Sequence, residues 1–364
     1  MNMKVRAAVA HGNGLPLTIE DVHLRPPADD EVLVELKASG LCHTDLFINE
    51  GKFPLKLPAI LGHEGSGVVL ECGKDVKNVK AGDHVILNNV PHCGHCRCCR
   101  SDFTNYCEDI ALARLRPSAF TWNGEPLMTM GQAATFASHT VLRSYNLTVI
   151  PNEMPFESAA LVPCGVMTGV GAVLFNAKVR SGSSVLVWGI GSIGLNVLQS
   201  ARLAGAGRII AIDTCASKEQ AARLFGATDF INPNDLDEPL AQHITTLLGG
   251  SADYAFECVG NVEVLKQAVE LVNPFWGVCL AVGVPPFNQQ ISLPATSFYF
   301  GRTVRGTFIG DANPVTDTPK ILDWYRQGKL RLDELVTHRL AQDEINQGFE
   351  LMKRGESIRS VIVY

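Results

Sequence analysis

Four cysteines with short, regular spacing form the strongest chemical signal in the sequence. Residues 93–107 contain the pattern Cys-x2-Cys-x2-Cys-x7-Cys, which consists of Cys93, Cys96, Cys99 and Cys107. Zn²⁺ in closed structural sites prefers four tetrahedral sulfur or nitrogen ligands, and one loop with these spacings can wrap the ion. Cys98 is an alternative ligand inside the same segment, but the 2-2-7 spacing favours the other four. We therefore predict a structural zinc site.

A glycine-rich segment indicates a dinucleotide site. An apolar run at 185–188 precedes a G-x-G-x-x-G pattern, and a helical pattern follows it. In this context the glycines permit a tight turn, close approach of a pyrophosphate and close packing of helix on strand. The helix N-terminus also favours the negative charge of the pyrophosphate. The candidate cofactor-binding residues of this segment are Gly189, Gly191, Ser192, Ile193 and Gly194.

Asp213 indicates which dinucleotide binds. It lies at the end of the next apolar strand, roughly 20 residues beyond the glycines. A carboxylate at this position can accept hydrogen bonds from the adenosine ribose, and it repels a 2′-phosphate. We therefore predict NAD rather than NADP. The competing interpretation is a glycine-rich turn followed by a surface aspartate.

Three more residues that could bind a metal are far apart in the chain. Cys42 lies in Gly-Leu-Cys-His-Thr-Asp, His63 in Gly-His-Glu and Cys164 in Pro-Cys-Gly. Spacing alone does not unite them, and each alone could be an ordinary buried residue. Together with the two segments described above, however, they occur in the order found in one family. The sequence resembles the zinc-dependent medium-chain alcohol dehydrogenases over nearly its whole length.

The resemblance implies a second metal site. Cys42, His63 and Cys164 would bind a catalytic zinc and leave the fourth position open for substrate or water, as expected for this enzyme class. The implied cofactors are two Zn²⁺ ions per subunit and NAD. The implied reaction is reversible hydride transfer between an alcohol and NAD to give the aldehyde, with zinc as the Lewis acid.

The resemblance also implies roles for neighbouring residues. Glu64 would lie behind the metal, Asp45 would hold the second nitrogen of His63, and Thr44 would accept the proton that the alcohol loses. Four residues match family positions that contact the cofactor: His43 and Arg359 at the pyrophosphate, Lys218 near the adenosine ribose and Thr168 near the nicotinamide. A solvated surface position remains the alternative for His43, Lys218 and Arg359.

Some positions depart from the family pattern. Phe47 stands where many relatives carry the histidine that ends the proton relay, so the sequence does not tell how the relay ends. Asn89 stands where an aromatic side chain often narrows the substrate pocket. A wider pocket is expected, and we predict a primary alcohol that is bulky or carries an aryl group.

Other functions are also compatible with the scaffold. The nearest is a thiol-adduct-dependent formaldehyde dehydrogenase, whose members place an arginine four residues after the last zinc-lobe cysteine. Here that position is Ala111, although Arg114 and Arg116 follow, and the loop after Gly51 is shortened. A carbon–carbon double-bond reductase is disfavoured by Thr44 and the complete ligand set. A catalytically silent, NAD-binding structural protein would be expected to have a broken ligand set.

The elements that position these residues fall into two patterns. Residues 1–165 show short strands separated by Gly and Pro turns, which indicates a mostly β domain. From about residue 184, strands alternate with helices, which is typical of a doubly wound parallel sheet. With the resemblance, we predict an α/β protein with a GroES-like catalytic domain at 1–165 and 309–364 that carries the four-cysteine zinc lobe. The NAD-binding Rossmann domain is predicted at 166–308.

Composition excludes several classes of partner. The 364 residues carry a net charge of −6, which argues against a nucleic-acid partner. No apolar run reaches the roughly 18 residues of a membrane span, and no secretory signal is evident, so a cytoplasmic protein is expected.

The aromatic and β-branched segment 297–308 ends the Rossmann series. We expect an edge strand there that pairs with a second copy, giving a homodimer or homotetramer.

Overall fold

The computed structural model describes residues 2–113, 116–286 and 288–364, so Arg114 lies outside the described residues. The chain divides into two compact units. Unit 1 comprises Met1–Cys164, Asn313–Asp323 and Leu332–Tyr364, and unit 2 comprises Gly165–Ala312 and Trp324–Arg331. The C-terminal segment is therefore part of unit 1, together with the first half of the chain.

Strands dominate the first half of the chain, and between residues 184 and 281 strands alternate with helices. The strands are β1 (Met3–Ala10), β2 (Thr18–Leu24), β3 (Glu31–Gly40), β4 (Ala59–Ile60), β5 (Gly65–Cys72), β6 (His84–Leu87), β7 (Phe120–Trp122), β8 (Glu125–Pro126), β9 (Met128–Thr129), β10 (His139–Arg143), β11 (Leu147–Val149), β12 (Ser184–Trp188), β13 (Arg208–Ile212), β14 (Asp229–Ile231), β15 (Tyr254–Glu257), β16 (Val278–Ala281), β17 (Thr303–Gly306), β18 (Val336–Leu340) and β19 (Arg359–Val363). The α-helices are α1 (His43–Asn49), α2 (Asp109–Ala113), α3 (Phe156–Ala160), α4 (Met167–Gly171), α5 (Ser192–Leu203), α6 (Glu219–Leu224), α7 (Leu240–Leu248), α8 (Val262–Leu271), α9 (Asp317–Arg326) and α10 (Ile345–Lys353).

Unit 1 is built on two sheets that are mostly antiparallel. One sheet has the order β8-β7-β2-β1-β4-β9, and the other has the order β11-β6-β5-β3-β19-β18, with β10 paired to β3. In β3, buried Val32, Val34 and Leu36 alternate with half-buried residues, as expected for a strand with one face on the core. The last strand, β19, lies between β3 and β18, so the end of the chain completes this sheet.

Unit 2 is built on one parallel sheet of order β14-β13-β12-β15-β16-β17. Its central strands carry consecutive buried residues, such as Val185, Leu186 and Val187 in β12, because helices of a doubly wound fold cover both faces. The predicted parallel sheet is therefore confirmed. The glycine segment follows β12 and Asp213 follows β13, at the carboxyl ends of neighbouring strands, where such sheets bind ligands.

Among the described residues, no helix has the length and apolar character needed to cross a lipid bilayer.

Candidate zinc and cofactor sites

The zinc lobe, residues 93–107, brings four sulfur atoms together. The Sγ atoms of Cys93, Cys96, Cys99 and Cys107 all lie within 4.8 Å of one another, and those of Cys93 and Cys99 are 3.9 Å apart. Tetrahedral sulfur ligands about 2.3 Å from a zinc ion lie about 3.8 Å from each other, so the cluster fits the ion. Cys98 is not part of this group.

Backbone N–H groups point at the lobe sulfurs. The N–H of Cys96 donates to Cys93 Sγ at 3.4 Å, and the N–H of Cys99 donates to Cys96 Sγ at 3.3 Å. Burial opposes ionisation of Cys96, but the N–H groups of Cys99 and Glu108 outweigh it and lower its pKa to about 6. Burial raises the pKa of Cys99 to about 11 and also raises that of Cys107, so Cys96 is the lobe thiol whose ionisation the loop favours.

A second cluster lies in the interior of unit 1. Ligand atoms of Cys42, His63, Glu64 and Cys164 lie within 4.8 Å of one another. Cys42 directly precedes α1, and His63 lies between β4 and β5. Cys164 lies in a π-helical turn, Val162–Val166, a local irregularity that often marks functional sites. Two thiols and one imidazole, all buried, fit a zinc site that keeps a position open for substrate.

Asp45 fixes the orientation of two candidate ligands. Its Oδ1 accepts hydrogen bonds from His63 Nδ1 at 3.2 Å and from the backbone N–H of Gly62 at 3.0 Å. Its Oδ2 accepts from the backbone N–H of Cys42 at 3.2 Å. Because Nδ1 donates to Asp45, Nε2 is the nitrogen left for the metal.

The metal-free cluster holds protons that zinc must displace. Burial disfavours the charged imidazole of His63, but the charges of Asp45 and Cys42 outweigh burial and raise its pKa to about 10. A hydrogen bond with Cys164 lowers the pKa of Cys42 well below its usual range. The same hydrogen bond, together with burial, raises the pKa of Cys164. Before zinc binds, these pKa shifts favour a thiolate at Cys42, a protonated imidazole at His63 and a thiol at Cys164.

Glu64 and Arg359 form a buried ion pair. Arg359 Nη2 donates to Glu64 Oε2, while Glu64 Oε1 has no hydrogen-bond partner among the described residues. Both side chains are almost fully removed from solvent. The sequence did not predict this pairing of residues 64 and 359, because it depends on β19 joining the sheet of β3. One carboxylate oxygen of Glu64 is among the atoms grouped with the sulfurs of Cys42 and Cys164.

Thr44 lies at the edge of the buried cluster. Its Oγ1 is 3.7 Å from Cys42 Sγ, and the residue is half-buried. His43 is exposed on the same helix, and the ring of Phe47 meets its ring edge-on at 6.3 Å between centroids. Phe47 occupies the position in α1 where many relatives carry the relay histidine. Because its side chain has no ionisable proton, it cannot end a proton relay.

The glycine segment of unit 2 has the geometry that its pattern predicts. Gly189 has φ +83°, a left-handed conformation that favours glycine. A Cβ on Gly194 would lie 2.0 Å from the carbonyl oxygen of Gly189, so the helix and the strand end are in backbone contact. Ser192 begins α5, and its buried hydroxyl has no partner among the described residues.

Asp213 already has partners on both oxygens. Oδ2 accepts from the N–H of Ile190 at 2.7 Å and from Lys218 Nζ at 3.0 Å, and Oδ1 accepts from the N–H of Cys215 at 2.9 Å. The carboxylate therefore joins the glycine segment to the loop after β13, and it brings Lys218 beside it. Thr168 is buried in α4, elsewhere in unit 2.

Family models match both units. A model described as the alcohol dehydrogenase GroES-like domain matches residues 28–152, and one described as zinc-binding dehydrogenase matches residues 192–327. The S-(hydroxymethyl)glutathione dehydrogenase of Paracoccus denitrificans is 44% identical over 376 residues, with 100% of both chains covered. The alcohol dehydrogenase class-3 of Cereibacter sphaeroides is 43% identical with the same coverage.

Solved structures of alcohol dehydrogenases also match the whole chain. An alcohol dehydrogenase zinc-binding domain protein from Burkholderia ambifaria has a TM-score of 0.94 and 36% identity, covering 100% of this chain and 99% of that one. The benzyl alcohol dehydrogenase from Acinetobacter calcoaceticus has a TM-score of 0.92 and 32% identity, covering 99% of each chain.

The chain belongs to the zinc-dependent medium-chain alcohol dehydrogenase family. It is an NAD-dependent oxidoreductase that uses zinc, built from a GroES-like domain and a Rossmann domain, as the sequence predicted.

Proposed function

We propose that this enzyme interconverts a bulky or aryl primary alcohol and its aldehyde with NAD. The observation that carries the dehydrogenase chemistry is the buried cluster of Cys42, His63 and Cys164, with Asp45 behind the imidazole. A structural zinc site rarely leaves one of its four positions open, whereas a catalytic site needs that position for substrate.

The residues around the cluster have separate proposed roles in the reaction. When bound, zinc supplies a Lewis acid for the alcohol oxygen, and NAD supplies the hydride acceptor. Thr44 takes the proton that the alcohol loses, Asp45 keeps His63 in the orientation that the metal requires, and Glu64 modulates the site from behind. Phe47 cannot pass the proton on, so we propose that water carries it from Thr44 to solvent.

Unit 2 holds the cofactor. The N–H groups at Gly191, Ser192 and the start of α5 face the pyrophosphate, and the unpartnered Ser192 hydroxyl supports this placement. Asp213 and Lys218 contact the adenosine ribose. We assign Thr168 to the nicotinamide, and His43 and Arg359 to the pyrophosphate. The bond to Glu64 occupies only part of the Arg359 guanidinium, which has five N–H donors.

The preference for an uncharged alcohol rests on the region after the zinc lobe. Ala111 is exposed in α2 and offers no charge to a substrate carboxylate. The next described cation, Arg116, is not free, because its Nη2 donates to buried Asp109 Oδ1 at 2.7 Å. Asp109 is held in turn by Gln132 and Tyr145. The benzyl alcohol dehydrogenase among the structural relatives is consistent with an aryl substrate.

The second candidate is a dehydrogenase of the glutathione–formaldehyde adduct. The names of the 43–44% identical relatives favour it. It requires a cation that recognises the glutathione carboxylates, and Ala111 does not supply one.

Initial rates of NADH formation with benzyl alcohol and with S-(hydroxymethyl)glutathione decide between them. We expect kcat/KM to be at least about 30-fold higher for benzyl alcohol, since a buried or partly buried charge left unpaired costs about 2–5 kcal/mol and each 1.36 kcal/mol is a factor of ten. As a matched control, Ala111→Arg should raise kcat/KM for the adduct and leave that for benzyl alcohol unchanged. A wild-type enzyme that prefers the adduct refutes the aryl-alcohol assignment.

We also propose that the enzyme is a homodimer or homotetramer. Near the edge strand β17, exposed aromatic side chains cluster on unit 2: Phe275, Trp276, Tyr299 and Phe300, with ring centroids 5.0–5.5 Å apart for the pairs Tyr299–Phe300 and Phe275–Phe300. Such a patch beside an unpaired strand edge favours association. Sedimentation equilibrium at micromolar concentration tests this, and a 39.4 kDa species alone contradicts it.

A further inference from the structure

Two buried hydroxyl groups of unit 1 lie directly behind the segment that carries His63 and Glu64. Ser39 and Thr135 are both fully buried. Ser39 Oγ lies 2.7 Å from Thr135 Oγ1 and 3.0 Å from the carbonyl oxygen of Glu64. A serine hydroxyl has one proton and can donate to only one of these oxygens at a time. The second hydroxyl, that of Thr135, is therefore needed to satisfy the pair when Ser39 donates to Glu64.

We call residues 62–65 the ligand segment. Close contact with Thr135 leaves no room for a side chain at either end of this segment, Gly62 or Gly65. A Cβ on Gly62 would lie 2.5 Å from Thr135 Oγ1, and a Cβ on Gly65 would lie 2.5 Å from Thr135 Cγ2. The backbone N–H of Thr135 donates to the carbonyl oxygen of Gly62 at 3.1 Å. The threonine thus contacts both ends of the ligand segment, with its hydroxyl at one end and its methyl at the other.

Other elements hold this pair of hydroxyls in place. Ser39 lies at the end of β3, directly opposite Gly65 in the β3–β5 register. The carbonyl oxygen of Thr135 accepts a hydrogen bond of 2.5 Å from the hydroxyl of Tyr364, the last residue of the chain. The ligand segment is therefore packed against the end of β3 and the loop that contains Thr135, and Tyr364 in turn holds that loop.

We propose that Ser39 and Thr135 are positioning residues for the catalytic zinc. Asp45 orients the His63 ring, whereas the two hydroxyls fix the backbone from which that ring projects. Groups that hold metal ligands from outside commonly change metal affinity by 10–100-fold. The proposal rests on the assignment of Cys42, His63 and Cys164 as zinc ligands, and it does not depend on which alcohol is the substrate.

Two substitutions at one position separate the hydroxyl from the packing. Thr135→Val keeps both branches of the side chain and removes the hydroxyl, whereas Thr135→Ser keeps the hydroxyl and removes the methyl. Ser39→Ala removes the donor to Glu64 with little change in volume, and it serves if the valine variant does not fold. Thr140→Val is the matched control, because Thr140 is fully buried in β10 and its hydroxyl has no partner among the described residues.

The readout is the release of zinc from the holoenzyme to a colorimetric chelator, which does not depend on turnover. The Cys164→Ala variant identifies which release phase belongs to the catalytic site. We expect Thr135→Val and Ser39→Ala to release that zinc about tenfold faster than wild type, and Thr135→Ser and Thr140→Val to match wild type.

Three outcomes overturn the proposal. Wild-type release from both hydroxyl-deleted variants means that the hydroxyls do not position the ligand segment. Release from Thr135→Ser as fast as from Thr135→Val assigns the effect to packing alone. A wild-type enzyme that holds only the lobe zinc overturns the ligand assignment and this proposal together, but it leaves the substrate assignment to be judged by rates.

Discussion

The two cysteine clusters of this enzyme are built in opposite ways. All ligands of the zinc lobe come from one loop of fifteen residues, and backbone N–H groups of that loop donate to the sulfurs. The candidate ligands of the buried cluster come from residues 42, 63 and 164, which are far apart in the chain and which the fold of unit 1 brings together. A loop that wraps its own ion gains stability from it, whereas a site assembled by the fold can keep an open position.

This difference predicts that the two sites respond differently to loss of a ligand. Cys164→Ala should lower kcat/KM at least about 1000-fold while the folded structure survives, because loss of the Lewis acid costs several kcal/mol and each 1.36 kcal/mol is a factor of ten. Cys96→Ala should instead lower the thermal unfolding temperature. Steady-state rates and thermal melts on both variants test this. Equal loss of activity and stability in the two variants would remove the distinction.

Thr44, beside the buried cluster, is the residue that we propose takes the proton of the alcohol. Thr44→Ala should lower kcat about 100-fold, the lower range for loss of a positioned proton-transfer group, and should retain zinc and NAD binding. Thr44→Ser keeps the hydroxyl and should remain active. Rates, zinc content and NAD titration are measured on both variants. Wild-type activity in Thr44→Ala means that another group takes the proton.

Cysteine spacing alone predicted the four-cysteine cluster at 93–107. The buried cluster of Cys42, His63 and Cys164 was predicted only from the resemblance to the family. The spacing from Cys93 to Cys107 defines its own loop, so the ligands can be chosen without knowledge of the fold. The ion pair of Glu64 with Arg359 and the contact of Ser39 with Thr135 join residues 295 and 96 positions apart. The first contact depends on β19 lying beside β3, and the second joins β3 to the loop before β10, which also pairs with β3. The sequence carries no local signal for either pairing.

Zinc binding at the buried site should depend on pH, because two of its candidate ligands hold protons before the ion binds. His63, with a pKa of about 10, and the Cys164 thiol, whose pKa is raised, both hold protons at pH 7. Zinc binds only the deprotonated ligands, so the zinc ion that enters this site should release about two protons, and the affinity of this site for zinc should fall up to about 100-fold per pH unit below neutrality. Calorimetric titration of metal-free Cys96→Ala, which lacks the lobe site, with zinc in buffers of different ionisation enthalpy counts the protons. Release of none contradicts the protonated apo site.

Like the zinc lobe, the proposed nucleotide site was predicted from a short sequence pattern. We expect a substitution there to have the smallest effect of those considered. If Asp213 accepts from the ribose as we propose, Asp213→Gly removes that charged acceptor and the repulsion of a 2′-phosphate. Hydrogen bonds to charged groups contribute about 1.5–3 kcal/mol, so the preference for NAD over NADP should narrow about tenfold or more. The ratio of kcat/KM for the two cofactors measures it. An unmodified enzyme that uses NADP as well as NAD would show that Asp213 is not the discriminating residue.

Zinc content per subunit, measured by native mass spectrometry on the wild type and on one variant of each cluster, tests most directly that the sites are independent. We expect two zinc ions in the wild type and one in both Cys164→Ala and Cys96→Ala. Only the Cys96→Ala variant should retain turnover. A wild type with one zinc, or a single substitution that empties both sites, contradicts it.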